Sequence, residues 1–231
     1  MTKVPRAGKV KTRLTPPLTP DEAAEINRCF LRDLGRSILE ACALAPAHGV
    51  AVYTPKGAEA AYEKILPSDF FLIPQRERDF GERLILAAED LFKVGFASVC
   101  LINSDSPTVP AASFAEAASE LAKPGDRVVL GPSDDGGYYL IGLKRLHRRL
   151  FEEINWSTER VLEQTIERVN ELGAAVHRLP AGYDVDDHAT LQRLYQELLG
   201  PSAVPVDLAP NTRKFLSKII KREGRDRIWP M

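Results

Sequence analysis

The sequence predicts an α/β fold built on a mainly parallel sheet. Two observations carry this. Short apolar runs of β type alternate with longer segments of helical period along most of the chain, as strand–helix–strand units require. One run, "ASVCLINSD" (97–105), is almost wholly apolar and then turns polar, as a strand buried on both faces does on reaching the sheet's edge. In such sheets ligands bind at the carboxyl ends of the strands, so the polar residues at those ends are the first candidates for function.

The elements follow in order. "PRAGKVKTRL" (5–14) holds four cations and one glycine with few large apolar side chains; it is either a solvated tail or a loop shaped to hold phosphates. Thr19-Pro20-Asp21-Glu22 opens a helix, with Thr as cap, Pro in the first turn and acids at the positive helix end. Helical spacing runs from there to about Leu44. "GVAVYTP" (49–55) and "DFFLIPQ" (69–75) read as strands. Residues 79–94 are helical, with Leu84, Ala87, Ala88 and Leu91 on one stripe. After the strand at 97–105 comes a helix at 110–123. "DRVVLGPSDDGGYYLIGL" (126–143) reads as two apolar strands around a Gly-rich bend. A helix at 158–172, a strand at 174–180 and a helix at 188–199 complete the alternation. The tail from Gly200 is Pro-rich and then basic; in "RKFLSKIIKREGRDR", Phe215, Leu216, Ile219 and Ile220 share a helix face that either packs on its own domain or receives a partner.

The 231 residues are enough for one large domain, and no linker or repeat divides them, so a single domain over 1–231 is expected. Lysine and arginine number 31 against 32 acids, a net charge of −1, which gives no global reason to bind nucleic acid. Cys29, Cys42 and Cys100 are widely spaced among apolar neighbours. They fit neither a zinc site nor a disulfide framework and read as reduced core thiols. No apolar run is long enough for a bilayer and no signal-peptide core opens the chain; a cytoplasmic location is expected.

Three constellations could carry chemistry. In "NSDSPT" (103–108) a strand delivers Asp105 to the sheet edge, where it could hold a hard cation or merely cap the helix after Pro110. In "GPSDDGGYYLIGL" (131–143) two acids precede two glycines, which either lets backbone approach a ligand or makes a plain hairpin turn. In "GYDVDDH" (182–188) Asp184, Asp186 and Asp187 crowd together. That charge density calls for a cation, or for helix capping, a role suited to Asp187. Neither a Walker loop nor a G-x-G-x-x-G fingerprint occurs. Together with the basic loop, the acids suggest a magnesium-sized ion bridging phosphate oxygens while Lys9, Lys11 and Arg13 neutralise the remaining charge.

"KVPRAGKVKTRL", "DFGERL", "NSDSPT", "GPSDDGGYYLIGL", "NWSTERVLEQT" and "YDVDD" stand in this order. The set, over roughly residues 3–195 with 200–231 as an extension, resembles a bacterial glycosyltransferase-A-like (nucleotide-diphospho-sugar transferase-like) family related to the molybdenum-cofactor and 2-phospholactate guanylyltransferases. The resemblance implies a three-layer sandwich around a mainly parallel mixed sheet. It implies that Gly8, Lys9, Lys11 and Arg13 wrap nucleotide phosphates, and that Asp105 and Asp186 ligate Mg²⁺ or Mn²⁺. It also implies that Asp135, Gly136 and Gly137 face the acceptor, with Asp105, Asp135 and Arg13 serving catalysis. Trp156, Ser157 and Thr158 match a signature without an assigned role; Thr158 could simply cap the next helix.

The implied activity is a metal-dependent transferase acting on a nucleotide sugar or nucleoside triphosphate and an unknown acceptor, by glycosyl or nucleotidyl transfer. The alternative is a non-catalytic nucleotide- or partner-binding module. Two departures from the pattern stand out. Most of an apolar first strand before Lys3 is absent, and Asp187-His188 replaces the usual Thr-Pro. A central gap in a sheet leaves backbone groups unpaired, so the C-terminal tail or a second subunit, as in a homodimer, is expected to fill it.

Overall fold

The computed structural model describes residues 1–76, 78–201 and 207–227. Its strands are β1 (Thr2–Lys3), β2 (Val50–Thr54), β3 (Phe71–Pro74), β4 (Val99–Ile102), β5 (Arg127–Pro132), β6 (Tyr138–Leu143) and β7 (Ala175–Arg178). Its helices are α1 (Pro20–Cys42), α2 (Phe80–Lys93), α3 (Ala111–Ala122), α4 (Val161–Glu171), α5 (His188–Leu199) and α6 (Pro210–Glu223). Apart from the two-residue β1, each lies where the sequence pattern places it, the ends differing by a few residues.

The strands form two sheets. One is parallel, in the order β1-β2-β3; the other is mixed, in the order β4-β6-β5-β7, with β6 antiparallel to both neighbours and β5 parallel to β7. The antiparallel β5–β6 pair is the hairpin that the Gly-rich bend foretells.

Period-2 alternation decides which helix covers which face. Val99, Leu101, Val128, Leu130, Ile141 and Leu143 pack with α2 and α4. The intervening Val129 and Leu140 pack with α1 and α3 through Leu34, Phe114 and Leu121. The result is a helix–sheet–helix sandwich. A further cluster joins α1, α5 and α6.

α1 begins as its sequence requires. Thr19 Oγ1 accepts from Glu22 N–H and the Glu22 carboxylate accepts from Thr19 N–H, a reciprocal cap. α6 has no side-chain cap of its own, its N-cap being Ala209. Buried Asp33 of α1 supplies one, accepting from Asn211 N and Nδ2 and from Thr212 N and Oγ1 at 2.6–2.9 Å. Leu216 and Ile219 are buried beside Ile26, Phe30, Leu194 and Leu198. The amphipathic face of the tail therefore packs against its own chain.

That packing corrects the expectation that the tail fills the gap in the sheet. β1 has only two residues and pairs only with Tyr53 and Thr54 of β2, so the two sheets are not joined. A cavity of about 760 Å³ separates them, bounded by the Val50–Val52 edge of β2, the Val99–Ile102 edge of β4, and helix residues such as Leu34 and Phe114. No residue of α6 lines it. The tail is committed elsewhere because Asp33 and the α1–α5 surface satisfy its end and its apolar face. Across the gap the Met1 ammonium donates to Ile102 O at 2.8 Å.

Candidate active site

A second cavity, of about 580 Å³, opens at the carboxyl ends of the strands; Lys3, Thr54, Gln75, Asn103, Asp105 and Tyr138 all contribute to it. Asp105 follows β4 in a turn closed by Asn103, whose Oδ1 accepts from Asp105 N at 3.2 Å and from Ser106 Oγ at 3.1 Å. Asp105 O in turn accepts from Val185 N at 2.9 Å, which fastens the 184–187 segment against the end of β4. Val185 is fully buried. In extended chain its neighbours point the other way, so Asp184 and Asp186 both reach the cavity.

The basic loop comes to the same place. Lys11 has φ 48°, a left-handed conformation that costs a non-glycine residue, and its side chain is 5% exposed. Its ammonium stands 2.6 Å from Asp105 Oδ1 and 2.9 Å from Asp186 Oδ1, and donates to Val185 O at 2.8 Å. Arg13 reaches Asp186 Oδ2 at 2.8 Å from a largely exposed position. One ammonium touching both carboxylates puts Asp105 and Asp186 a few ångströms apart, within reach of a single cation. Gly8 and Lys9 lie on the exposed outside of the loop and do not line the cavity; the chain turns inward from Val10, which is buried.

Burial pulls the Lys11 ammonium down, but the two carboxylates outweigh it and its pKa is raised. Asp184 behaves in the opposite way. Burial first, and the nearby charges of Asp105 and Asp135, push its carboxyl up to about 6. Hydrogen bonds donated by Ser106 Oγ (2.5 Å) and Asn103 Nδ2 (2.7 Å) hold it in place and oppose the rise. Three carboxylates thus face one buried ammonium and one surface guanidinium.

Asp135 accepts from Gly137 N at 3.0 Å, tightening the β5–β6 hairpin; Asp135 and Gly137 line the cavity. Gly136 has φ 84°, and a Cβ there would lie 2.1 Å from Glu159 O. Leu162 N donates to Gly136 O at 2.8 Å. The glycine is required because the 155–160 loop lies directly on it. Asp187, not Asp105, is the helix cap: its side chain accepts from Thr190 N at 2.8 Å, while α3, with Pro110 as N-cap, has no side-chain cap. Thr158 supports the turn before α4, donating to Asn155 O and accepting from Arg160 N.

Sequence reasoning named Asp184 only within the acidic cluster and gave it no role of its own, although its spacing of two from Asp186 around a valine was the available signal. It also left "DFGERL" and "NWSTE" without a role. In space they meet. The rings of Phe80 and Trp156 are 4.9 Å apart, edge to face, and Phe80, Arg83, Trp156, Ser157 and Thr158 form one wall of the cavity. A Cβ on Gly81 would lie 2.8 Å from Trp156 Nε1, so the glycine makes room for the indole.

With the site in view, comparison with known proteins gives the chain its place. A sequence family described as "Uncharacterized protein conserved in bacteria (DUF2064)" matches residues 38–158. The chain belongs to this family. Among solved structures, this DUF2064 chain is similar to a crystal structure from Desulfovibrio desulfuricans G20, provisionally named a nucleotide-diphospho-sugar transferase. The TM-score is 0.82 at 28% identity, covering 96% of this chain and 95% of that one. The fold is therefore of the nucleotide-diphospho-sugar transferase type. A CMP:2-keto-3-deoxy-manno-octonic acid synthetase complexed with CTP matches at TM-score 0.45 and 13% identity, over 69% of this chain and 84% of that one; nothing here rests on it. No curated protein matches the chain. Among the described residues no helix is long and apolar enough to cross a membrane.

Proposed function

We propose that this DUF2064 protein is a transferase acting on a nucleotide sugar or a nucleoside triphosphate, assisted by Mg²⁺ or Mn²⁺. The observation that carries this is the meeting of Asp105, Asp186, Lys11 and Arg13 at the strand ends of a fold shared with the Desulfovibrio protein. The donor set suits a hard cation: the cavity's donors near Asp105 are carboxylate, amide and hydroxyl oxygens, with Asp105, Asp184 and Asp186 supplying the charge. Among the described residues no group of three or more His, Cys, Asp or Glu side chains forms a ready-made metal cage. Magnesium needs none, since it takes one or two carboxylates and fills the rest with phosphate oxygens and water. Asp105 and Asp186 would hold it, and when bound it would neutralise charge developing on the phosphates.

The protein's own groups divide the remaining work. Arg13 is exposed at the cavity rim and suited to grip a phosphate. Lys11 keeps the two acids together before the substrate arrives. The Asp135 hairpin forms the opposite side, where an acceptor would lie. Two reactions fit. In nucleotidyl transfer an acceptor oxygen bonds to the α-phosphorus as the bond to diphosphate breaks; in glycosyl transfer an acceptor nucleophile bonds to the sugar C1 as nucleoside diphosphate leaves. Identifying the released product, diphosphate or nucleoside diphosphate, separates them.

Binding tests the common part. Calorimetry with nucleoside triphosphates and nucleotide sugars, with and without Mg²⁺ or Mn²⁺, is expected to show cation-dependent affinity in the parent. Asp105→Asn, folded by circular dichroism, is expected to lose that dependence with at least about a ten-fold drop in affinity. Unchanged cation-dependent binding in Asp105→Asn, or no nucleotide binding by the parent, sinks the proposal.

A further inference from the structure

We propose that Arg83, with the Phe80–Trp156 ring pair, forms a subsite of the cavity that binds a cyclic organic phosphate, the guanidinium taking the phosphate and the rings taking the ring. This deepens the transferase reading and rests on the same cavity being the substrate site.

Arg83 is the cation in this wall without a partner. Its Nε is buried with no hydrogen-bond acceptor, and no carboxylate among the described residues pairs with it. The acids nearby are already used. Glu82 makes two hydrogen bonds to Arg148, at 3.0 and 2.8 Å, and Asp79 caps α2, accepting from Glu82 N at 3.0 Å. Of the other site cations, Lys11 and Arg13 are held by Asp105 and Asp186, and Lys3 is an exposed residue of β1, on a different element from the two rings. Arg83 also stands in the first turn of α2, at the positive end of the helix dipole, where a cation is locally unfavourable. Asp79 and Glu82 temper the helix end, but neither pairs with Arg83, so a bound anion would gain a charge-assisted hydrogen bond from the guanidinium.

The ring part is set by the neighbouring aromatics. The Arg83 guanidinium lies 5.4 Å from the Phe80 ring centroid, beside the aromatic wall. Phe80 is 49% exposed, a large apolar face turned outward at the cavity. Trp156 is half-buried against it and seated on Gly81. An exposed aromatic face next to an unpaired guanidinium matches a molecule with a flat apolar ring face and an attached phosphate. A nucleotide and a sugar phosphate both have that chemistry.

The test uses tryptophan fluorescence of the full chain in EDTA, titrated with uridine monophosphate, glucose 1-phosphate, inorganic phosphate and glucose. Trp156→Phe identifies the signal from the wall. Saturable change with either organic phosphate, weakened about ten-fold or more in Arg83→Met and partly restored in Arg83→Lys, is the expected result; which of the two binds tells base ring from sugar ring. Protection of Arg83 from phenylglyoxal by the same compound, read by peptide mass mapping on the parent protein, gives the result without a variant. Equal affinity in parent and Arg83→Met overturns the proposal. So does equal binding of inorganic phosphate and the organic phosphates, or no binding of either organic phosphate at millimolar concentration. Metal-free conditions separate the two proposals. Loss in Arg83→Met with no cation-dependent nucleotide binding would leave the subsite standing and remove the transferase reading; the reverse pattern would remove only the subsite.

Discussion

Lys11 shows how much one side chain can organise. Its left-handed backbone, its packing 5.4 Å from the Phe30 ring centroid and its contacts with Asp105 and Asp186 make it the strut between the N-terminal loop and the two acids. The acids stay about a third exposed, so water shares their solvation and removing the ammonium costs less than for a fully buried pair. Lys11→Met is expected to destabilise the fold by about 2–3 kcal/mol, below the usual range for breaking a buried ion pair. If the carboxylates accept a divalent ion, Mg²⁺ should restore more stability to Lys11→Met than to the parent. Denaturant titrations with and without Mg²⁺ read both, and equal stabilisation of the two proteins would argue against Asp105 and Asp186 as ligands.

Among elements, the contact of the start of α1 with the end of α6 and the segment following it responds to pH through Glu22. Glu22, half of the α1 capping box, also pairs with Arg222 at 2.9 Å and Arg227 at 2.7 Å. Burial tends to raise its carboxyl, but the Arg227 hydrogen bond and the Thr19 amide outweigh this, and its pKa is lowered. An acid depressed on folding adds stability above its unfolded value, about 4.3, and loses it as pH falls through its lower folded value. Glu22→Gln keeps a side-chain acceptor for Thr19 and removes only the charge. It is expected to cost about 1 kcal/mol at neutral pH, and the gap from the parent should close toward acid. A gap of the same size at pH 3 and pH 7 would mean that the arginines contribute nothing through charge.

At the scale of the molecule, the divided sheet is the main feature. β5 and β6 have partners on both sides. β2 from Val50 to Val52 and β4 face a cavity along one edge. No strand pairs with that edge, where Ile102 O takes the Met1 ammonium instead, and local opening should cost less than in the paired strands. Hydrogen exchange is expected to be faster at residues 50–52 and 99–102 than at 128–131 and 139–143. Equal protection in both sets would show that the edges are covered in solution, by a second copy or by another segment. Asp105 stands at the end of β4, so the stiffness of this edge bears directly on the site.

Local chemistry determined most elements, the two-residue β1 and the Asp33-capped start of α6 excepted. Alternation of two and of 3.6, the Thr19–Glu22 cap, the Asp187 cap and the glycine bend at 136–137 each state their structure within a few neighbouring residues, and the physical forces behind them act over that same range. The strand-end acids could be read too, since a strand buried on both faces must deliver its polar tip to an edge. Tertiary structure alone decided the rest. Lys11 holding Asp105 and Asp186 joins residues 11, 105 and 186, and Phe80 against Trp156 joins two motifs whose separate patterns carry no information about each other. The open gap beside β1 was decided the same way. The tail's apolar face has the right pattern for many surfaces, and only the position of Asp33 and of the α1–α5 groove determined which one it covers.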